Sequence, residues 1–406
     1  MEARKERTTP GVRKRVHTTA DGRRTTLYYA RLSYRDGTGE RRWRASRGFR
    51  TKREAEAEYI RMKAAKAAGT YTAPSSMTVS AFVEQTWLPS IERQVKRSTF
   101  ENYRRNWARH IKPAIGEPRL QGLTPLDLDN LYGDLSVERA VTVMQPDGTS
   151  IERSQVALKA KTIRNVHLQI SKMLSDAERI ELLGRNPADR ANPPRVVRTT
   201  DEEIRAWDSE ELRSFLRQVR DTRWFPAMRL AAMTGMRRGE VLGQRWQDID
   251  LERRVLTVRQ AVVQAGYGTY IDTPKNHRPR VIDLDPVTIK VLRQRRKAQI
   301  EARLAGDSSY LESDLVFTND DGSLIHPDTF TQAFDRHVQA AGLRRITLHG
   351  LRHTHATLLL KAGVPVNVVS QRLGHSDPGF TLRQYAHVLP TMQAEAAAKI
   401  TAMVDG

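Results

Sequence analysis

Apolar and polar positions along the chain change rhythm several times, and each rhythm predicts a different kind of element. Residues 27–34, LYYARLSY, alternate as a half-buried strand does, and Asp36-Gly37 followed by Gly39 signals a hairpin into a further strand over 41–46, RRWRAS. Thr51 and Glu54 stand at capping-box spacing, and the residues from Lys52 to Ala68 are free of Gly and Pro until Gly69. Residues 1–70 therefore predict a small three-stranded sheet packed on one helix. After a linker at 70–78, TYTAPSSMT, the spacing turns helical, with Val79, Phe82, Trp87 and Leu88 apolar. Ser98 and Glu101 suggest a second capping box, opening a helix with Tyr103, Trp107 and Ile111 on one face. Thr124-Pro125 starts another. From Lys161 to Leu183 the positions Ile163, Val166, Ile170, Met173, Leu174, Ala177 and Ile180 keep a helical period, and Gly184 is the expected stop. Residues 77–187 thus predict a helical bundle, interrupted at 141–154 by a hairpin turning at Pro146-Asp147-Gly148. The three prolines of 186–203 predict an exposed linker. The remainder, 203–400, reads as helices from about residue 208, a β-rich section over 254–285, and helices again, a mixed α+β domain in which Val241, Leu242 and Trp246 belong to the core. The expected class is a multidomain, mainly α chain.

Charge adds a partner to this picture. The 406 residues hold 68 Lys and Arg against 47 Asp and Glu, a net charge of +21. Residues 1–70 alone hold 20 basic and 8 acidic residues, a difference of +12. Such an excess suits a phosphate-bearing partner, because Lys and Arg gain affinity by displacing counterions from nucleic acid; a solvated basic surface is the plainer alternative. A two-stranded ribbon can enter a major groove, so Arg41, Arg42 and Arg44 on the second strand are candidate DNA contacts, with Tyr28, Tyr34 and Trp43 dividing between contact area and packing onto the helix. Arg104 and Arg105, on the polar side of the Tyr103 helix, are candidates of the same kind. The chain has no cysteine, which excludes disulfides, a thiolate nucleophile and a zinc ribbon. No run of about 18 apolar residues occurs, and the opening MEARKERTTPGVRKRV lacks the apolar stretch of a signal peptide, so a cytoplasmic setting is expected.

Three segments of the last domain gather polar residues suited to chemistry. Thr234-Gly-Met-Arg237-Arg-Gly-Glu240 places Arg237 at a helix start. Thr273-Pro-Lys275-Asn-His-Arg-Pro-Arg280 places Lys275 at a hairpin tip. His349-Gly-Leu-Arg352, followed by Leu373-Gly-His375 and Tyr385, places His349 and Arg352 on one helical face. Taken singly these are commonplace. Together, two arginines, a lysine, two histidines and a tyrosine, with no Cys or acidic cluster suited to a metal, form a set fitted to phosphoryl transfer without a cation or other cofactor. Glu240, three residues past Arg237, either orients the site from behind or is an ordinary first-turn carboxylate. His353 and His355 are assigned to packing or the helix surface.

These motifs resemble those of the tyrosine recombinase family, and the domain order is similar to that of phage and mobile-element integrases with arm-binding, core-binding and catalytic domains. The resemblance implies catalytic roles for Arg237, Lys275, His349, Arg352, His375 and Tyr385, with Tyr385 as nucleophile forming a 3′-phosphotyrosyl link. It further implies that Lys275 protonates the leaving oxygen, that His349 assists proton transfer at the tyrosine, and that His375 holds the scissile phosphate. Double-stranded DNA at core crossover and arm sites would be the partner, and a homotetramer the synaptic assembly. The resemblance leaves room for a DNA-bending host factor and an excisionase, and it implies a bacterial, nucleoid-associated setting. A chromosome or plasmid multimer resolvase is the alternative within the same chemistry, though such relatives generally lack an arm domain. A catalytically idle DNA-binding protein would have no use for Tyr385, and a type IB topoisomerase would relax one duplex without joining two. The last residues, AEAAAKITAMVDG, predict a short helix that docks on a neighbouring protomer.

Overall fold

The fold is that of a computed structural model that describes residues 11–18, 23–35, 41–67, 72, 75–144, 150–196, 206–266, 268–273, 279–305, 310–375, 377–385 and 392–405. The chain divides into two units, Met1–Val197 and Arg198–Gly406. Among the described residues no helix is long and apolar enough to cross a membrane.

The first unit opens with an antiparallel sheet of β1 (Val12–Thr18), β2 (Arg24–Arg35) and β3 (Arg41–Ala45), in that order. The expected hairpin turn at 36–40 lies outside the described residues. β1 is hard to read locally because Arg13-Lys14-Arg15 hides its alternation; its pairing with β2, from Val12↔Ala30 to Thr18↔Arg24, makes it a strand. Helix α1 (Lys52–Ala67) sets Tyr59 and Met62 against Ala30 and Leu32. Its capping box forms as the spacing predicts: Glu54 N–H donates to Thr51 Oγ1 at 3.3 Å and Thr51 N–H to Glu54 Oε2 at 3.1 Å.

A helical bundle follows, with α2 (Val79–Phe82) and α3 (Leu88–Glu92) joined by a π-helical turn, Val83–Trp87. A second π-helical turn, Trp107–Ile111, joins α4 (Arg97–Asn106) to α5 (Lys112–Ile115). Then come α6 (Pro125–Leu135), the hairpin β4 (Arg139–Met144) with β5 (Ser150–Gln155), and α7 (Ala160–Arg179). The apolar stripe of α7 is buried against Phe82, Trp87, Trp107 and Leu128. Buried indoles need a partner, and both find a carboxylate: Trp87 donates to Asp176 at 2.9 Å and Trp107 to Glu84 at 3.1 Å. Thr124 and Asp127 form the capping box of α6.

Three local expectations are corrected here. Helix α4 starts at Arg97 with Lys96 in the capping position, so Ser98 lies in the first turn and is not the cap. Helix α7 stops at Arg179, short of Gly184, because Glu181 takes a left-handed backbone at φ 60° and leaves Ile180 41% exposed. The start of the proline-rich stretch is not an exposed linker: Asn186 and Ala188 are buried, and Asn186 donates to Ser171 O at 3.1 Å and Ser175 Oγ at 2.9 Å.

The second unit runs α8 (Ser209–Gln218), α9 (Phe225–Thr234), α10 (Arg238–Leu242), β6 (Ile249–Asp250), β7 (Val255–Val258), β8 (Ala261–Ala265), β9 (Gly268–Asp272) and β10 (Arg280–Asp283). It continues through α11 (Pro286–Ala305), α12 (Pro327–Ala340), α13 (Leu348–Lys361), α14 (Val366–Leu373), α15 (Pro378–Tyr385) and α16 (Met392–Val404). Its strands form a sheet ordered β10-β7-β6 and a separate β8-β9 hairpin, all antiparallel. The core joins α8 to α12 through Phe215 and Phe334, with Trp207 from just before α8 between them; the three rings lie 5.2–5.9 Å apart. Val241 and Leu242 are buried as expected, while Trp246 is partly buried against that core.

Candidate active site

Two glycines fix the backbone around the polar cluster of the second unit. Gly235 ends α9 in the left-handed region at φ 64°, and a Cβ there would stand 2.7 Å from Leu373 and 2.8 Å from His355. The turn delivers Arg237 to the N-cap of α10, and the Gly235 carbonyl accepts from Arg352 Nη1 at 2.7 Å. Gly374 ends α14 in the same way at φ 70°, which places His375 immediately after the helix. Thr347 caps α13 by accepting from Gly350 N–H at 3.0 Å, so His349 falls in the first turn, and Arg352 and His353 in the second.

Four of the six residues singled out in the sequence stand on these elements or at their ends, and a fifth, Tyr385, ends α15. Lys275 lies outside the described residues. Arg352 is 3% exposed; its Nη2 is buried and has no hydrogen-bond partner among the described residues. Burial, followed by the charge of Arg237, pushes its guanidinium down to about 9. A buried guanidinium with an unused N–H, close to a second arginine, is disposed to take up an oxyanion. Arg237 borders an open cleft of about 340 Å³ that His349 also lines.

Glu240 stands behind the arginines at 1% exposure. Its carboxylate accepts from Arg237 N–H at 2.8 Å and Arg237 Nη1 at 2.9 Å. It also accepts both Arg280 donors, at 3.0 and 2.6 Å. Burial works to raise its carboxyl pKa, but the Arg280 hydrogen bonds and the charges of Arg280 and Arg237 prevail and hold it at about 2. Glu240 is thus more than a first-turn carboxylate. Arg280, which the sequence did not mark, also donates from Nε to Arg372 O at 3.0 Å, tying β10 to the end of α14.

Tyr385, the last residue of α15, is 1% exposed, and burial pushes its phenol up to about 12. Its Oη lies 2.7 Å from His353 Nδ1, so His353 is not the packing or surface residue the sequence suggested. His349 lies edge-on to His353, with ring centroids 5.0 Å apart and planes at 87°. His375 pairs through Nδ1 with buried Thr381 Oγ1 at 2.6 Å. His355 is structural: its ring bonds Ala232 O at 3.0 Å through Nδ1, and Arg372 donates to its Nε2 at 3.1 Å.

Burial, the largest cause in each case, lowers His353 and His375 to about 4 and His355 to about 3. A base with a depressed native pKa takes up its proton more readily when unfolded, so its contribution to stability is complete above the unfolded pKa of about 6.5 and is lost as pH falls toward the native values. Glu240 shifts in the same direction, between its ordinary range and about 2. Thermal melting of the second unit is therefore expected to be flat near pH 7.5 and to drop steadily between pH 6.5 and 4; a midpoint unchanged to pH 4.5 would contradict this.

The candidate DNA contacts belong to the first unit. Trp43 is 50% exposed, with the Arg31 and Arg41 guanidinium groups 4.8 and 5.0 Å from its ring, an arrangement open to a polyanion. The side chains of Arg42 and Arg44 lie outside the described residues. Arg104 is exposed and pairs with Glu101 at 3.3 Å, and Arg105 donates to Asn102 at 2.7 Å.

Comparison with known proteins adds family to this geometry. Residues 204–392 match the phage integrase family, residues 19–66 its arm DNA-binding domain, and residues 78–136 the N-terminal SAM-like domain of phage integrases. The "Tyrosine recombinase XerC-like" protein of Caldanaerobacter subterraneus subsp. tengcongensis is 27% identical over 331 residues, covering 77% of this chain and 80% of that one. The fold is similar to that of the Tn1549 transposon integrase in complex with transposon right end DNA, with a TM-score of 0.62 at 22% identity over 80% of this chain and all of that one. It is also similar to a lambda integrase tetramer bound to a Holliday junction, with a TM-score of 0.55 at 17% identity over 92% and 94% of the two chains. The chain belongs to the phage integrase family of tyrosine recombinases, which cleave and rejoin DNA, and carries that family's arm DNA-binding, SAM-like N-terminal and catalytic domains.

Proposed function

We propose that the protein is a site-specific integrase that cuts and rejoins DNA through a 3′-phosphotyrosyl intermediate on Tyr385, inserting and, in the reverse direction, excising a phage or mobile element. The observation that carries this reading is the buried, unused Nη2 of Arg352 beside Arg237, in a site that also holds a buried tyrosine. In the reaction Tyr385 Oη bonds to phosphorus as the P–O5′ bond breaks. The released 5′-hydroxyl later attacks the equivalent link on a partner strand, so bond energy is conserved and no nucleotide is consumed. Arg237 and Arg352 bind the extra charge of the phosphorane. His375 adds an Nε2–H donor when Thr381 donates to its Nδ1, and Lys275 protonates the leaving O5′. Glu240 keeps Arg237 in place.

On this reading residues 1–70 hold arm sites, 77–187 the core-binding domain and 203–400 the catalytic domain, with Arg41, Arg42, Arg44, Arg104 and Arg105 on DNA backbone. The arm-domain match over 19–66 favours an integrase over a multimer resolvase. The working complex is a homotetramer on double-stranded DNA in the bacterial cytoplasm at the nucleoid, joined by a DNA-bending host factor and, for excision, an excisionase. Strand exchange between two duplexes, each bearing a crossover site, tests the reading: joined products support it, while relaxation of one supercoiled duplex without joining contradicts it.

Helix α16 carries Ile400, Met403 and Val404 exposed at its end, and their burial on a neighbouring protomer would stabilise the tetramer. Deleting residues 392–406 is expected to abolish synapsis on native gels while leaving binding to a single site intact; undiminished synapsis would refute this role.

A further inference from the structure

We propose that His353, and not His349, accepts the proton of Tyr385 during attack on the phosphate, and returns it when the strand is rejoined. This rests on the reading of Tyr385 as nucleophile. The two groups are already in contact, with His353 Nδ1 2.7 Å from Tyr385 Oη, and both stand on helices that packing holds in place. The phenol ring is fixed among Ala356, Leu360, Val369 and Leu373, so the direction of its hydroxyl is set by the core and not by the solvent. At 1% exposure no bulk water competes for the proton. His349 packs at right angles to His353, with ring centroids 5.0 Å apart, and so steadies the His353 plane.

The protonation states agree with this assignment. Burial, with the charge on Arg352 and the proximity of His349, leaves His353 neutral at physiological pH, with a lone pair free to accept at Nδ1 when the ring carries its hydrogen on Nε2. Tyr385 is a phenol in the same range and donates its O–H to that lone pair. A weak base beside a weak acid does not exchange a proton at rest. The transfer accompanies formation of the Oη–P bond, as the phenol grows acidic and the phosphate's negative charge stabilises an imidazolium. In the balanced step the Tyr385 proton passes to Nδ1, Oη bonds to phosphorus, the P–O5′ bond breaks, and O5′ takes a proton from Lys275 or water. Rejoining runs each transfer backwards.

The test is single-turnover cleavage of a nicked suicide duplex by the full chain, with DNA affinity measured alongside as the check on folding. His353→Ala is expected to slow cleavage by about 10²–10⁴-fold at unchanged affinity, and added imidazole to restore part of the loss. His353→Gln can keep a hydrogen bond to Tyr385 but cannot take its proton, so it is expected to remain slow. A duplex with sulfur at the bridging 5′ position eases departure of the leaving group and is expected to rescue neither variant. A Gln variant with the wild-type rate, full rescue by the sulfur substrate, or imidazole rescue of His349→Ala but not of His353→Ala would each overturn the proposal. Failure of the underlying reading looks different: the covalent adduct would persist in Tyr385→Phe.

Discussion

Arg352→Lys is expected to lower single-turnover cleavage by about 10²–10³-fold while DNA affinity stays within several-fold, because the lost interaction is made chiefly to the charge that develops at phosphorus. The arginine performs two tasks with one planar group. Nη1 holds the Gly235 carbonyl at 2.7 Å, which ties α13 to the turn carrying Arg237, and Nη2 remains for an oxygen of the phosphate. A lysine ammonium can satisfy the carbonyl or reach the phosphate, but it lacks the fork that does both. Gel-shift titration beside the cleavage assay separates the two effects. Equal losses in affinity and rate would place Arg352 in ground-state DNA binding instead.

The second large effect concerns stability. Glu240→Ala removes a carboxylate that receives four donors from Arg237 and Arg280 and leaves the mostly buried Arg280 guanidinium unpaired. Breaking one side of such a pair typically costs about 3–5 kcal/mol, and Arg280→Met, which leaves Glu240 to Arg237 alone, is expected to cost less. The double variant Glu240→Ala with Arg280→Met removes both charges, so its loss is expected to fall well short of the sum. Urea denaturation of the four proteins gives the coupling directly; additive losses would mean that the two residues do not act as a pair. Cleavage should fall in the two variants that lack Glu240, since Arg237 loses the carboxylate that orients it.

Most of the candidate site was legible because its residues sit in local signals. Thr234-Gly235 announces a helix end followed by Arg237, and Gly235 does take the left-handed conformation; Gly374 before His375 takes it too. The capping box at Thr51 and the helix start at Thr124-Pro125 were equally local and form as read, whereas the box expected at Ser98 does not form. The contacts that sequence reasoning missed are long-range. His353 and Tyr385 are 32 positions apart, and Glu240 and Arg280 are 40, so no periodicity within one element could have paired them. His353 offered one signal, its place four residues after His349 on the same face of α13, but an i, i+4 histidine pair does not by itself say which of the two faces a tyrosine from another helix. Pro187 misled in the opposite direction: proline suggests a loop, yet it opens a short 3₁₀ turn that Asn186 pins to α7.

The bond between DNA and Tyr385 tests the account at its centre. The full chain is incubated with a nicked duplex bearing its crossover site, the trapped complex is digested with nuclease and trypsin, and the modified residue is located by mass spectrometry. The account predicts a nucleotide on Tyr385 in the wild-type protein and no covalent complex from Tyr385→Phe; an adduct on another residue, or one that persists in the Phe variant, would contradict it.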